Sequence, residues 1–134
     1  MKAKAIQTSL NLSQREALRV DQAVCSVWQI TPGSVYTVFA LAVPLQPGVY
    51  GTSVMLTIVD DFEKLIPAPD GLFEIVDSRV SERWVASFSS NAFKLSPKEF
   101  VEHAFLAEDI LDRDPVAARI FEQIRLQFAE DSSM

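Results

Sequence analysis

The chain has 134 residues, a net charge of −6, a hydrophobic fraction of 49% and a charged fraction of 22%, the proportions of one globular domain able to bury a core without disulfide or metal staples. Its single cysteine cannot form an internal disulfide, and its longest apolar stretches fall well short of the roughly 20 residues that cross a bilayer. No apolar run follows the lysine-bearing first residues, and no lysine–arginine cluster is present, so a cytoplasmic protein with neither membrane nor nucleic acid as partner is expected.

Along the chain, residues 5–12 read as an extended segment with Ile6, Leu10 and Leu12 on one side. Ser13-Gln14-Arg15-Glu16 has the capping-box pattern and predicts a short helix over 14–22. From Val24 the period becomes two, with Val24, Ser26, Trp28 and Ile30 on one strand face before the turn Thr31-Pro32-Gly33-Ser34. Residues 35–43 are apolar on both faces, which predicts a single central strand covered on both sides. A long strand is expected over 49–59, closed by Asp60-Asp61, and Pro67-Ala68-Pro69-Asp70-Gly71 reads as a stiff surface connection. Residues 72–76 and 83–88 complete the strands, the last with Trp84, Ala86 and Phe88 pointing one way.

Sheet is expected to give way to helix at Ser96, where Ser96-Pro97-Lys98-Glu99 combines an N-cap serine, a proline at the first helical position and a glutamate at the third. Phe100, Val101, Ala104, Phe105, Ile110 and Leu111 form an apolar stripe. Asp114-Pro115 restarts a second helix that should bury Ala117, Ile120, Phe121, Ile124 and Phe128. The expected fold is α+β: about five mainly antiparallel strands in a strongly bent sheet or small open barrel, a short N-terminal helix and two C-terminal helices. It reads as one domain over 1–134, a β-rich body (1–95) with an acidic helical tail (96–134) packed on it.

The inventory for catalysis is thin. His103 lies one turn after Glu99, a spacing that suits two metal ligands or an acid–base couple. No second histidine completes a transition-metal shell, so a surface histidine paired to a carboxylate is the preferred reading. Cys25, in a strand-like segment between Val24 and Val27, reads as a small packed side chain rather than a nucleophile served by His103. Asp60-Asp61 and the run from Glu108 to Asp114 have cation-friendly oxygens, but the latter lacks the glycine and terminal glutamate of an EF-hand, and Asp114 already serves as a helix cap. No catalytic residue, metal ligand or cofactor site is assigned. Tyr36 and Tyr50, beside turns, are expected to reach solvent more than the phenylalanines do.

Ile30-Thr31-Pro32-Gly33-x-x-Tyr36, Leu72-Phe73-Glu74-Ile75-Val76-Asp77-x-Arg79-Val80 and the following Trp84-Val85 resemble a set of small uncharacterised bacterial proteins. In these, an ITPG-x-x-Y strand entry and an LFE-[IV]-VD-x-R-[VL] hairpin precede an acidic helical tail. The resemblance covers roughly 24–119 and brings no catalytic residues with it. In size, acidity and architecture the chain is similar to immunity proteins, which neutralise polymorphic bacterial toxins.

Charge is uneven: residues 1–96 carry a net −1 and residues 97–134 a net −5. Such a tail keeps a protein soluble, and it also suits docking to a basic partner such as a toxin domain, on a patch of Glu99, Glu102, Glu108, Asp109, Asp112 and Asp114. A non-catalytic, immunity-type binding protein is therefore the leading expectation. The alternatives are a ligand-binding domain or small enzyme with a pocket near Tyr36, Tyr50, Asp60, Asp61 and Trp84, and a homo-oligomeric accessory subunit.

Overall fold

The apolar run over 35–43 serves two sheets, because the chain bends at Val38-Phe39. The computed structural model describes residues 1–20, 26–103 and 105–132. Val38 N–H donates to the Met1 carbonyl and Phe39 N–H to the Thr57 carbonyl, one bond into each sheet. The expected single strand is thus β2 (Val35–Thr37) followed by β3 (Ala40–Pro44), with Val38 fully buried at the corner. The first sheet has the order β2, β1 (Lys2–Ala5), β6 (Phe73–Asp77); the second has β5 (Leu65–Pro69), β4 (Met55–Val59), β3, β8 (Ala92–Pro97), β7 (Trp84–Phe88). Every pairing is antiparallel. The fold is α+β with a five-stranded sheet, but a second sheet of three strands stands beside it, and no closed barrel forms.

Several expectations are corrected by tertiary pairing. β1 lies earlier than the segment foreseen at 5–12, and its inward residues are Ala3 and Ala5, small enough for the middle of a sheet. The supposed surface connection over 67–71 is β5 plus a 3-10 turn (Asp70–Leu72) that carries the chain straight into β6. Two prolines are tolerated because β5 is an edge strand. Of the strand expected over 24–30, residues 26–30 are irregular, though Trp28 and Ile30 are buried; Val24 and Cys25 lie outside the described residues. The strand expected over 49–59 begins only at Met55. In β7 Trp84 is buried, whereas Ala86 and Phe88 are exposed.

The first helix, α1 (Leu12–Ala17), starts earlier than Ser13 capping would give. Asn11 is the cap: its side chain accepts from Gln14 N–H at 2.8 Å, and Gln14 Oε1 accepts from Asn11 N–H at 3.0 Å. The helix expected from Ser96 is also revised. Ser96 and Pro97 end β8, and the helix splits into α2 (Lys98–Glu102) and α3 (Leu106–Leu111), where His103 turns extended. Leu106 is buried, while Phe105 and Leu111 of the proposed stripe are exposed; Ala104 lies outside the described residues. The last helix, α4 (Pro115–Ser132), is as expected: Asp114 Oδ2 accepts from Ala117 N–H at 2.9 Å. It buries Ala117, Phe121, Ile124 and Phe128, with Ile120 half-buried. Phe121 and Phe128 each set a ring 5.2 Å from that of Phe39, tying the helix to the corner where the two sheets meet. Among the described residues there are four α-helices rather than the three expected.

Candidate functional site

Strand register puts small and polar residues together on one face of the five-stranded sheet. Ala40 pairs with Thr57, Ala42 with both Met55 and Lys94, Lys94 with Ser87, and Thr57 with Pro67. α2 and α3 pass over this face and leave a gap above Ala40, Ala42, Thr57, Ser87 and Ser96. The result is a cleft of about 430 Å³, walled on the helical side by Phe100, Val101, His103, Leu106, Ala107 and Glu108. That volume lies within the range of about 300–1,000 Å³ usual for ligand clefts.

The acidic residues singled out from the sequence lie along α2, α3 and the start of α4 without converging on a point. Glu99 is half-buried in the first turn of α2, and Glu102 is exposed at its last residue. Glu108 and Asp109 occupy the first turn of α3, where negative charge suits the helix N-terminus; Asp112 follows the helix and Asp114 caps α4. Of the six, only Glu108 lines the cleft, together with His103. None forms a salt bridge among the described residues, where the ion pairs are Arg79–Asp77, Arg83–Asp131 and Arg125–Glu63. Interleaved with them are exposed apolar side chains: Val101 (49% exposed), Phe105 (70%), Leu111 (47%) and Val116 (60%). The stretch 99–116 therefore carries six carboxylates against the single cation Arg113, with apolar side chains set among them.

His103 is exposed at the end of α2; its backbone N–H donates to the Glu99 carbonyl, but its side chain has no ion pair among the described residues, contrary to the expected carboxylate pairing. Cys25 lies outside the described residues. Among the described residues no group of three or more His, Cys, Asp or Glu side chains is arranged to hold a metal ion. Among the described residues no helix is long and apolar enough to cross a membrane.

The residues of the alternative pocket divide between two places and the core. Tyr36, Asp60 and Asp61 do meet, beside Glu63 and Arg125. Tyr50 instead packs on Trp28, ring centroids 5.3 Å apart, and Trp84 is buried with its indole N–H donating to the Phe39 carbonyl at 2.7 Å. Tyr36 is buried rather than solvent-facing, and Tyr50 is half-buried. The two aspartates are occupied in shaping loops. Asp60 Oδ1 accepts from Phe62 and Lys64 N–H, both at 2.9 Å, closing the β4–β5 turn. Asp61 accepts from the Thr31 and Tyr36 hydroxyls, each at 2.6 Å, while the Tyr36 oxygen accepts from Thr31 N–H at 2.8 Å. The Thr31 and Tyr36 hydrogen bonds hold the Asp61 carboxyl below its ordinary range; burial, and then donation to Asp61, push the Tyr36 phenol above its own.

The cleft itself is invisible in the sequence, because its floor needs β8, whose only local signal, Ser96-Pro97, is that of a helix start. Its one signal is the alternation of small residues at Ala40 and Ala42 inside a run otherwise made of larger ones. Set against known proteins, the chain matches no family model, and neither a curated protein nor a solved structure matches it.

Proposed function

We propose that this chain is a non-catalytic binding domain of the immunity type, which docks a basic bacterial toxin domain in the cytoplasm through the surface of residues 99–116. The observation that carries this reading is the set of carboxylates without cationic partners, interleaved with the exposed Val101, Phe105, Leu111 and Val116. Uncompensated charge steers a basic partner and raises the encounter rate, while apolar side chains supply the contact that is desolvated once docking is complete. The similarity in size and acidity to immunity proteins supports the same reading.

The test is kinetic. A partner recovered from the native host and purified should associate at a rate that falls steeply as salt rises, since screening acts over about 8–10 Å at physiological strength. Reversing Glu102, Glu108, Asp109 and Asp112 to lysine should slow association at least about tenfold and flatten its salt dependence, with little change in fold. A partner whose on-rate ignores both salt and charge reversal would refute the reading. A second reading, a small-ligand domain, is favoured by the cleft of about 430 Å³ beneath α2 and α3. Fragment screening by NMR would support it through shifts confined to Ala42, Lys94 and Leu106, and saturating titrations without such shifts would remove it.

A further inference from the structure

The two edges of the five-stranded sheet are built in opposite ways. At the β5 edge, the Asp60–Lys64 and Asp70–Val54 backbone bonds at either end of the β4–β5 ladder fix its phase, so Leu65, Pro67 and Pro69 turn their backbone groups outward. Two of these three residues have no N–H, and the Pro67 carbonyl already accepts from the Trp28 indole at 3.0 Å. That edge cannot template another strand. At the β7 edge, the Ser89 N–H to Ala92 carbonyl bond fixes the phase of the β7–β8 ladder, and Trp84, Ala86 and Phe88 face outward. β7 reads Trp84-Val85-Ala86-Ser87-Phe88, with no charge and no proline. Trp84 N–H is taken by the Ser81 carbonyl, which leaves the N–H groups of Ala86 and Phe88 open. Phe88 is 77% exposed and lies against Phe93, ring centroids 4.9 Å apart. Among the described residues β7 itself thus carries no charge, proline or bulge to protect its edge.

We infer that β7 pairs antiparallel with β7 of a second copy of this chain, about a two-fold axis at Ala86, to give a dimer with one continuous sheet. The occupant follows from the strand's own sequence and from the opposite edge. In this register Ala86 N–H donates to the partner's Ala86 carbonyl, and Phe88 N–H to the partner's Trp84 carbonyl, each bond made twice by symmetry. Phe88 then covers its exposed ring beside the partner's Trp84, and Arg83 stands across from the partner's Ser89, so no like charges oppose each other within the ladder. A head-to-tail array running through the five-stranded sheet would need β5 as acceptor, and its prolines forbid that, whereas β7 pairing with itself closes on an isologous pair. A five-residue strand pair with one aromatic strip is small beside the 1,200–2,000 Å² or so of a standard interface, so association is concentration-dependent, in the micromolar range. Each copy carries −6, so added salt tightens the dimer. Association with a basic partner has the opposite salt dependence, and the two readings fail independently.

Sedimentation velocity on the full chain, from about 1 to 200 µM, tests the proposal. The mass should rise from 14.9 kDa towards twice that value, and rise at lower protein concentration when salt is added. Ala86→Pro removes the outward N–H while leaving the bonds from Val85 and Ser87 to β8, and Ala86→Lys keeps the N–H but places two ammonium groups together on the two-fold axis. Both variants should remain monomeric throughout, with circular dichroism unchanged; if Ala86→Pro does not fold, Ala86→Lys alone decides. A wild-type chain that stays at 14.9 kDa overturns the inference, as does a dimer that survives Ala86→Lys, or equilibrium species larger than two chains.

Discussion

Replacing Gly51 by alanine puts a methyl group where the chain leaving α1 already runs. A Cβ at Gly51 overlaps the Leu18 carbonyl oxygen and lies 2.7 Å from the Arg19 carbonyl carbon and 2.8 Å from its oxygen. All three are backbone atoms, which cannot swing aside as a side chain can. The position has φ +62°, which costs an alanine about 1–2 kcal/mol. The Leu18 carbonyl also accepts from Thr52 N–H at 2.7 Å and from the Thr52 hydroxyl at 3.2 Å, and moving it sacrifices about 1 kcal/mol for each bond. The expected destabilisation is therefore about 3–4 kcal/mol. Gly33→Ala provides the control: its φ is +93° but nothing lies within 4 Å of the added methyl, so strain alone, about 1–2 kcal/mol, is expected. Urea unfolding monitored by tryptophan fluorescence separates the two, with Gly51→Ala lowering the midpoint by about 2 M for a slope near 1.5 kcal/mol/M. If Gly51→Ala costs no more than Gly33→Ala at equal slope, the close approach of these two segments is wrong.

Tyr36 and Asp61 predict the shape of the stability profile against pH. Because the folded Asp61 carboxyl titrates below its ordinary value, its contribution is present above about pH 4 and is lost as pH falls through the folded pKa. Because the folded Tyr36 phenol titrates above its ordinary value, its contribution is present below about pH 10 and is lost as pH rises through the folded pKa. Tyr36→Phe should cost about 1–2 kcal/mol near neutrality and flatten the alkaline arm in urea titrations repeated across pH; an alkaline arm unchanged in that variant counts against the Thr31–Tyr36–Asp61 network. At the start of α4, Asp114→Ala should cost about 1 kcal/mol through the lost cap, whereas Asp112→Ala, whose side chain has no hydrogen-bond partner among the described residues, should stay within about 0.5 kcal/mol in the same melts. Equal losses from the two would show that the Asp114 cap contributes nothing.

What was legible in the sequence is what local signals decide. α4 could be read because its cap at Asp114-Pro115 and its stripe from Ala117 to Phe128 are both contained within one helix. β6 and β7 could be placed because turn residues flank them. β8 was missed because Ser96-Pro97 resembles a helix cap, and only pairing with distant residues, Leu95 with Leu41 and Lys94 with Ala42, makes that segment a strand. β5 was missed because two prolines argue against a strand unless it lies at an edge, and edges are a property of the assembled sheet. The acidic residues were recognisable one by one. The cleft beside them was not, since its floor is assembled from short side chains on strands far apart in the chain.

The corner at Val38-Phe39 and the 3-10 turn at Asp70–Leu72 join the two sheets by unbroken backbone at two separate places. Neither sheet can peel away from the other without breaking its own ladder first. Slowly exchanging amides in β1 and β4 should therefore open in a single concerted event, with one free energy shared by both sheets. A load placed on either sheet by a bound molecule should therefore reach the other through the continuous chain as well as through packing.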